Sequence, residues 1–205
     1  MSEKRKNGGR PCFSIPEIYG IAVKAFRSAP DLKKGRKTGL LPETLQERIM
    51  LAVTAVNNCP MCSYAHTEMA LKAGLAEDEI RGLISGEFPD IPDEDMKAVL
   101  FAQNYAEHRG RPEKSVWSAL EDAYGKEKAR SILAAVRAIM FGNSIGIVLS
   151  SVKSRVRGEG GDPRSSVLYE ITALTSLLLT LPLSIVQALV CNILKIPVIS
   201  FHGSD

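Results

Sequence analysis

From Pro42 onward, Leu45, Ile49, Ala52, Val53 and Val56 recur at helical spacing, while Met50, Leu51 and Ala55 make the opposite side apolar too. A helix patterned in this way is buried on most faces. Asn57-Asn58 ends it. A second helix opens at Cys59, with Pro60 in the first-turn position that tolerates a missing N–H, and runs to Gly74. The two together predict a helical hairpin. Upstream, residues 15–29 predict a helix that Pro30 and a loop over 33–39 bring to an end. Downstream, the pattern predicts a short helix over 77–85, then a longer one over 93–108, announced by Pro92-Asp93 and stopped by Gly110. A further helix runs from Pro112 to near Gly125, and a long or kinked one follows over 126–152. This last is apolar from Ala138 onward except for Asn143, and its Gly142 and Gly146 can admit a close neighbour.

After a loop over 157–163, residues 171–194 carry no charge, a run long enough to cross a bilayer. Thr172, Thr175, Ser176, Thr180, Ser184, Gln187 and Asn192 interrupt it, and Pro182 divides it into halves too short to span alone. The expectation is therefore two helices meeting near Pro182 and packed against the core or a sister subunit. Membrane attachment is the competing reading, since Lys153, Arg155, Arg157 and Arg164 all lie upstream of the run.

Composition agrees with an all-α domain. The 205 residues are 45% apolar and 24% charged, which argues against a disordered or fibrous chain, and aromatic residues reach only 6%. Ten of the 26 Lys and Arg but only three of the 23 acids fall in the first forty residues, which gives that segment +7 against −4 for the rest. Lys4, Arg5, Lys6 and Arg10 sit among glycines and a proline, the composition of a solvated terminus rather than of a nucleic-acid or lipid site. No secretory signal is evident, so a reducing cytoplasm is the expected compartment. Four cysteines are too few for a disulfide scaffold: Cys12 and Cys191 read as small, partly buried hydrophobes, and His108 and His202 as surface residues.

The chemistry lies in Asn57-Asn58-Cys59-Pro60-Met61-Cys62-Ser63-Tyr64-Ala65-His66. Cys62 falls in a first helical turn, where unpaired N–H groups and the helix dipole favour a thiolate, and His66 shares its face one turn on. A thiolate reacts with peroxides and disulfides, and a second thiol three residues away can trap a sulfenic acid as a disulfide. A base works best with a third group to orient it, and Glu47 is the candidate. In the hairpin it lies about 6 Å out of register with His66 at about 1.5 Å per residue, within reach of a long side chain or a bridging water. Pointing to solvent is the other option. Zinc would have Cys59, Cys62 and His66 but no fourth ligand, so no metal or other cofactor is expected.

Leu41-Pro42-Glu43, Glu47, the apolar helix, Cys59-Pro60-Met61-Cys62, Ala65-His66 and the run from Ala70 to Leu75 followed by Glu77-Asp78-Glu79-Ile80 resemble the alkylhydroperoxidase D / carboxymuconolactone decarboxylase family. The likeness is close over 41–80, weaker over 93–152 and absent beyond about 155. It implies an all-helical bundle, commonly trimeric or hexameric. It also implies Cys62 as the peroxide-attacking thiolate, Cys59 as the resolving thiol and Glu47 and His66 as a proton relay. Met61 stands where some members carry a further His, which shortens the relay. The division expected is a basic segment with the first helix over 1–40, the helical redox domain over 41–155 and an apolar helical extension over 156–205.

The expected function is a thiol-dependent antioxidant enzyme that reduces small hydroperoxides, or exchanges disulfides, with electrons from an external dithiol or thioredoxin-like reductant, and binds no nucleic acid. A lyase or decarboxylase on the same scaffold would not need the cysteines. A non-catalytic redox sensor, membrane-associated through its tail, is the third reading.

Overall fold

The computed structural model describes residues 11–86 and 91–201; the basic residues 4–6 and 10 and the expected surface His202 lie outside them. Within the described residues the chain is all-α, with seven helices and no strand: α1 (Ile15–Lys37), α2 (Glu43–Asn57), α3 (Pro60–Lys72), α4 (Glu77–Ser85), α5 (Asp93–Glu107), α6 (Lys114–Val156) and α7 (Val167–Ile193). Helix α2 is the axis of the bundle and packs against α3, α4, α5 and α6. Leu45, Ile49, Leu51, Ala52 and Val53 are all but fully buried, as expected of a helix apolar all round. Helix α6 turns at Gly125, whose φ of 72° suits glycine, so the two helices expected over 112–152 meet there without a loop.

Three expectations change. Helix α1 does not stop at Ala29 but runs through Pro30 and the expected loop to Lys37. Pro30 is exposed, so water can reach the carbonyl its missing N–H leaves unpaired. Gly35 breaks nothing because it is a contact point: a Cβ there would fall 2.6 Å from Ser131 Cβ on α6. The apolar tail likewise forms one helix, not two, with Pro182 on its exposed side. Finally, His108 is half-buried, its Nδ1 2.9 Å from the Asn104 carbonyl.

Helix α7 lies along α1 and also touches α6. Its inner side carries Ala173, Ser184 and Ala188, small and buried, together with Glu170. Glu170 accepts hydrogen bonds from Ser151 (2.5 Å), Arg155 (3.0 Å) and Ser165 (2.8 Å). Tyr169 donates to the Phe13 carbonyl (2.6 Å), Tyr19 to Gln187, and Arg27 to the Ile196 carbonyl (2.7 Å). The extension is thus docked on the bundle by charge and polar contacts as well as by apolar ones. Beyond α7, the carbonyl of Val198 accepts from the buried Arg137 (2.5 Å).

Candidate active site

Asn58 closes α2 in the left-handed region at φ 56°, a conformation Asn tolerates, and its N–H donates to the Thr54 carbonyl. The chain reverses there and Cys59 becomes the N-cap of α3, its sulfur accepting from the Cys62 N–H at 3.3 Å. Pro60 follows where an amide would have had no helical partner. Cys59 and Cys62 are joined as a disulfide, their Cα atoms 5.3 Å apart. Both are buried, Cys59 to 1% exposure and Cys62 to 8%.

Glu47 and His66 meet directly. His66 Nδ1 lies 2.7 Å from Glu47 Oε2, and the carboxylate is buried. An Nδ1–H donated to the carboxylate leaves Nε2 as the nitrogen free to exchange a proton, one helical turn from Cys62. Two residues that the sequence did not single out extend this contact. Gln46 Nε2 donates to the second carboxylate oxygen of Glu47 at 3.1 Å, and Arg36 Nε on α1 donates to Gln46 Oε1 at 2.6 Å. A cavity of about 550 Å³ opens beside Glu47, Gln46 and Arg36 and gives this end of the chain of contacts a path to solvent.

The close neighbour of Gly146 on α6 is the disulfide itself: a Cβ at Gly146 would fall 2.7 Å from both sulfurs. One turn earlier, Asn143 Oδ1 accepts from Thr54 Oγ1 at 3.2 Å, while its buried Nδ2 has no hydrogen-bond partner. Ser150, also on α6, accepts from the Met61 N–H at 3.2 Å. So α6 forms the floor under the sulfurs. A line of interhelical bonds would have been hard to read from an apolar run, although Asn143 and the glycine pair stand out in it.

Next to Arg48, which follows Glu47, the site is braced. The guanidinium is held by Glu79 of α4 (2.5 Å) and Asp95 of α5 (2.6 Å), all three side chains nearly buried. Among the described residues no cluster of three or more His, Cys, Asp or Glu side chains is arranged to hold a metal ion. Cys12 and Cys191 are free and half-buried, and burial pushes the Cys12 thiol up from its ordinary value.

A second cavity, of about 840 Å³, lies on the Cys59 side. Thr54, Asn58 and Cys59 line one side of it, and Asp162, Pro163 and Arg164 from the loop before α7 line the other. Arg164 donates to the carbonyls of Asn57 (3.2 Å) and Asn58 (3.0 Å) and to Asp162 (2.6 Å). The Arg164 hydrogen bond holds the Asp162 carboxyl below the ordinary carboxylate range.

Residues 25–102 match the model of the carboxymuconolactone decarboxylase family, which includes alkylhydroperoxidase D-like proteins. The match starts within α1, ends within α5 and contains Glu47, Cys59, Cys62 and His66. No curated protein and no solved structure matches the chain.

Proposed function

We propose that this chain, which carries a carboxymuconolactone decarboxylase family domain over residues 25–102, is a thiol-dependent peroxidase fed by an external dithiol in a reducing cytoplasm. The observation that carries the reading is the 2.7 Å contact between Glu47 and His66, with His66 one turn from a cysteine of a disulfide-bonded pair. In the dithiol state His66 takes the Cys62 proton. The Cys62 thiolate then attacks the terminal oxygen of a hydroperoxide: an S–O bond forms, the O–O bond breaks, and the leaving alkoxide takes the proton back from His66. The Cys59 thiol attacks the resulting sulfenic sulfur, an S–S bond forms and the hydroxyl leaves as water. Two electrons from an external dithiol restore the pair. Glu47 fixes the His66 tautomer and stabilises the imidazolium between these steps.

The decisive experiment follows consumption of an organic hydroperoxide with dithiothreitol as donor, for wild type and Cys62→Ser. Loss of turnover in the variant is expected; equal turnover would overturn the reading. A second reading, a lyase on the same scaffold, is favoured by the description of the matched family itself. It predicts decarboxylation of a carboxymuconolactone-type substrate that survives Cys62→Ser.

A further inference from the structure

The geometry points to a binding site for one small inorganic anion, of halide size, in a cavity between α1, the end of α5 and α6, where Lys24, Tyr105 and Arg137 converge. The site shares no residue with the Glu47, Cys59, Cys62 and His66 cluster and does not depend on the peroxidase reading.

Ile21, Lys24, Tyr105, Gly110, Arg137 and Met140 line the cavity, and its volume of about 10 Å³ has room for one water-sized species. The polar groups around it are donors. Arg137, 1% exposed, is held by three neutral acceptors: Nε donates to the Tyr105 hydroxyl at 3.0 Å, Nη1 to Ser28 Oγ at 2.7 Å and Nη2 to the Val198 carbonyl at 2.5 Å. A guanidinium has five N–H groups, so two remain. Lys24 Nζ uses one of its three on the Gly110 carbonyl at 2.9 Å, and the Tyr105 hydroxyl, which accepts from Arg137, keeps its own proton to give. Gly110 lets these groups come together. Its φ of 87° suits glycine, and a Cβ there would fall 3.0 Å from Lys24 Nζ and 3.4 Å from the Tyr105 hydroxyl oxygen.

Charge is unbalanced at the same place. Among the described residues, neither Lys24 nor Arg137 has a carboxylate at ion-pair distance. Burial, with Arg137 and Arg111 adding to it, pushes the Lys24 amine down to about 8, and no acid opposes the shift. Cations taken out of water call for a counter-charge as well as acceptors. A water molecule supplies no charge and must place two protons of its own, while the acceptors that line the cavity, the Gly110 carbonyl, the Tyr105 oxygen and the Met140 sulfur, are already engaged. A halide ion accepts from every side, offsets both cations and rests the remainder of its surface on Ile21 and Met140. Phosphate and organic acids exceed the volume. Because Arg137 also holds the Val198 carbonyl beyond α7, a bound anion would fasten α1, α6 and the C-terminal extension at one point.

The test follows thermal unfolding of the full-length protein at pH 7 as sodium gluconate, too large for the cavity, is replaced by sodium bromide at constant ionic strength. Bromide is expected to raise Tm by about 2–4 °C, with a dependence on concentration that saturates, as binding does and a general salt effect does not. Lys24→Met is expected to lose the rise. Wild-type crystals soaked in bromide are expected to show an anomalous peak between Lys24 and Arg137, a reading that needs no variant to fold. A wild type indifferent to the exchange of anions overturns the proposal. So does a rise that never saturates, an equal rise in a folded Lys24→Met protein, or the absence of a peak between the two cations.

Discussion

Glu47 Oε2 and His66 Nδ1 lie 2.7 Å apart on two successive helices, with the carboxylate buried and fixed from its other side by Gln46. A buried carboxylate that accepts from a histidine ring holds that ring in one tautomer and one orientation. Glu47→Gln keeps the size and a hydrogen-bonding group but removes the charge. Stopped-flow oxidation of the dithiol protein by hydroperoxide is expected to slow by about ten- to a hundredfold, with the circular dichroism spectrum unchanged. His66→Ala is expected to be slower still. Equal rates for Glu47→Gln and wild type from pH 5 to 8 would make Glu47 a bystander.

Gly146 is the second fixed point of the site. A methyl group there would meet both sulfurs at 2.7 Å, well inside van der Waals contact, and backbone on one side with a covalent bridge on the other leaves little room to yield. Gly146→Ala is expected to cost about 1–3 kcal/mol in the oxidised protein, as overpacking does. The penalty should be smaller in the reduced protein, where the sulfurs can separate. Urea melts of the two redox states measure this, and an equal penalty in both would argue that the strain lies elsewhere.

Arg48 ties α2 to α4 and α5 through Glu79 and Asp95 in a nearly buried triad. Removing one partner of such a group leaves uncompensated charge away from water. Arg48→Leu is expected to destabilise the fold by about 3 kcal/mol, read as a lowered denaturation midpoint. A loss below about 1 kcal/mol would place the triad with ordinary surface pairs.

Much of this was legible in the sequence. The Cys59, Cys62 and His66 spacing is local and helical, so it fixed which side chains share a face, and the apolar pattern of α2 marked it as the central helix. The Glu47–His66 contact needed the crossing of two helices, which spacing bounds only to about 6 Å at about 1.5 Å per residue. Arg36, Gln46 and Arg164 were illegible because their partners are set by tertiary packing; in the sequence Arg164 stood only as one of four basic residues upstream of the apolar run. Pro30 and Pro182 misled for one reason: a proline on the solvent side of a helix packed along its other side does not end it.

Lys24 gives a pH signature. Burial, with Arg137 and Arg111 adding to it, pushes its amine down to about 8, and its Nζ donates to the Gly110 carbonyl at 2.9 Å. The folded value lies below the ordinary 10.5, so between about pH 8 and 10.5 the unfolded chain binds more protons and stability gains from this group as pH rises. Cys12 and Tyr169, whose ionisation burial pushes up (Tyr169 to about 12), act in the opposite sense above about pH 9. The difference between wild type and Lys24→Met isolates the lysine: the variant is expected to be more stable at pH 7, with the gap closing toward pH 10. A gap constant with pH would mean that the amine is solvated.

The outer side of α7 is an exposed apolar surface, with Leu168, Ile171, Leu178, Leu179, Leu183 and Ile193 each more than half exposed. Its hydroxyls do not make it polar. Thr172, Thr175 and Thr180 each donate to the carbonyl four residues back, and Ser176 to that three back, so these hydroxyls are satisfied within the helix. Exposed apolar area costs about 25 cal/mol per Å², and a helix of 27 residues is about 40 Å long, enough for the roughly 800 Å² per partner of a stable interface. A transmembrane arrangement would have to pull Glu170 away from Arg155 and strip Arg27 from the Ile196 carbonyl, contacts that hold the helix lengthwise on the bundle. A second copy of the chain is therefore the expected cover. Light scattering without detergent should give an oligomer, and Leu179→Lys with Leu183→Glu should dissociate it while leaving helix content intact. Partition of the intact protein into anionic vesicles, with the double variant soluble and the wild type never oligomeric in solution, would instead assign this face to a membrane surface.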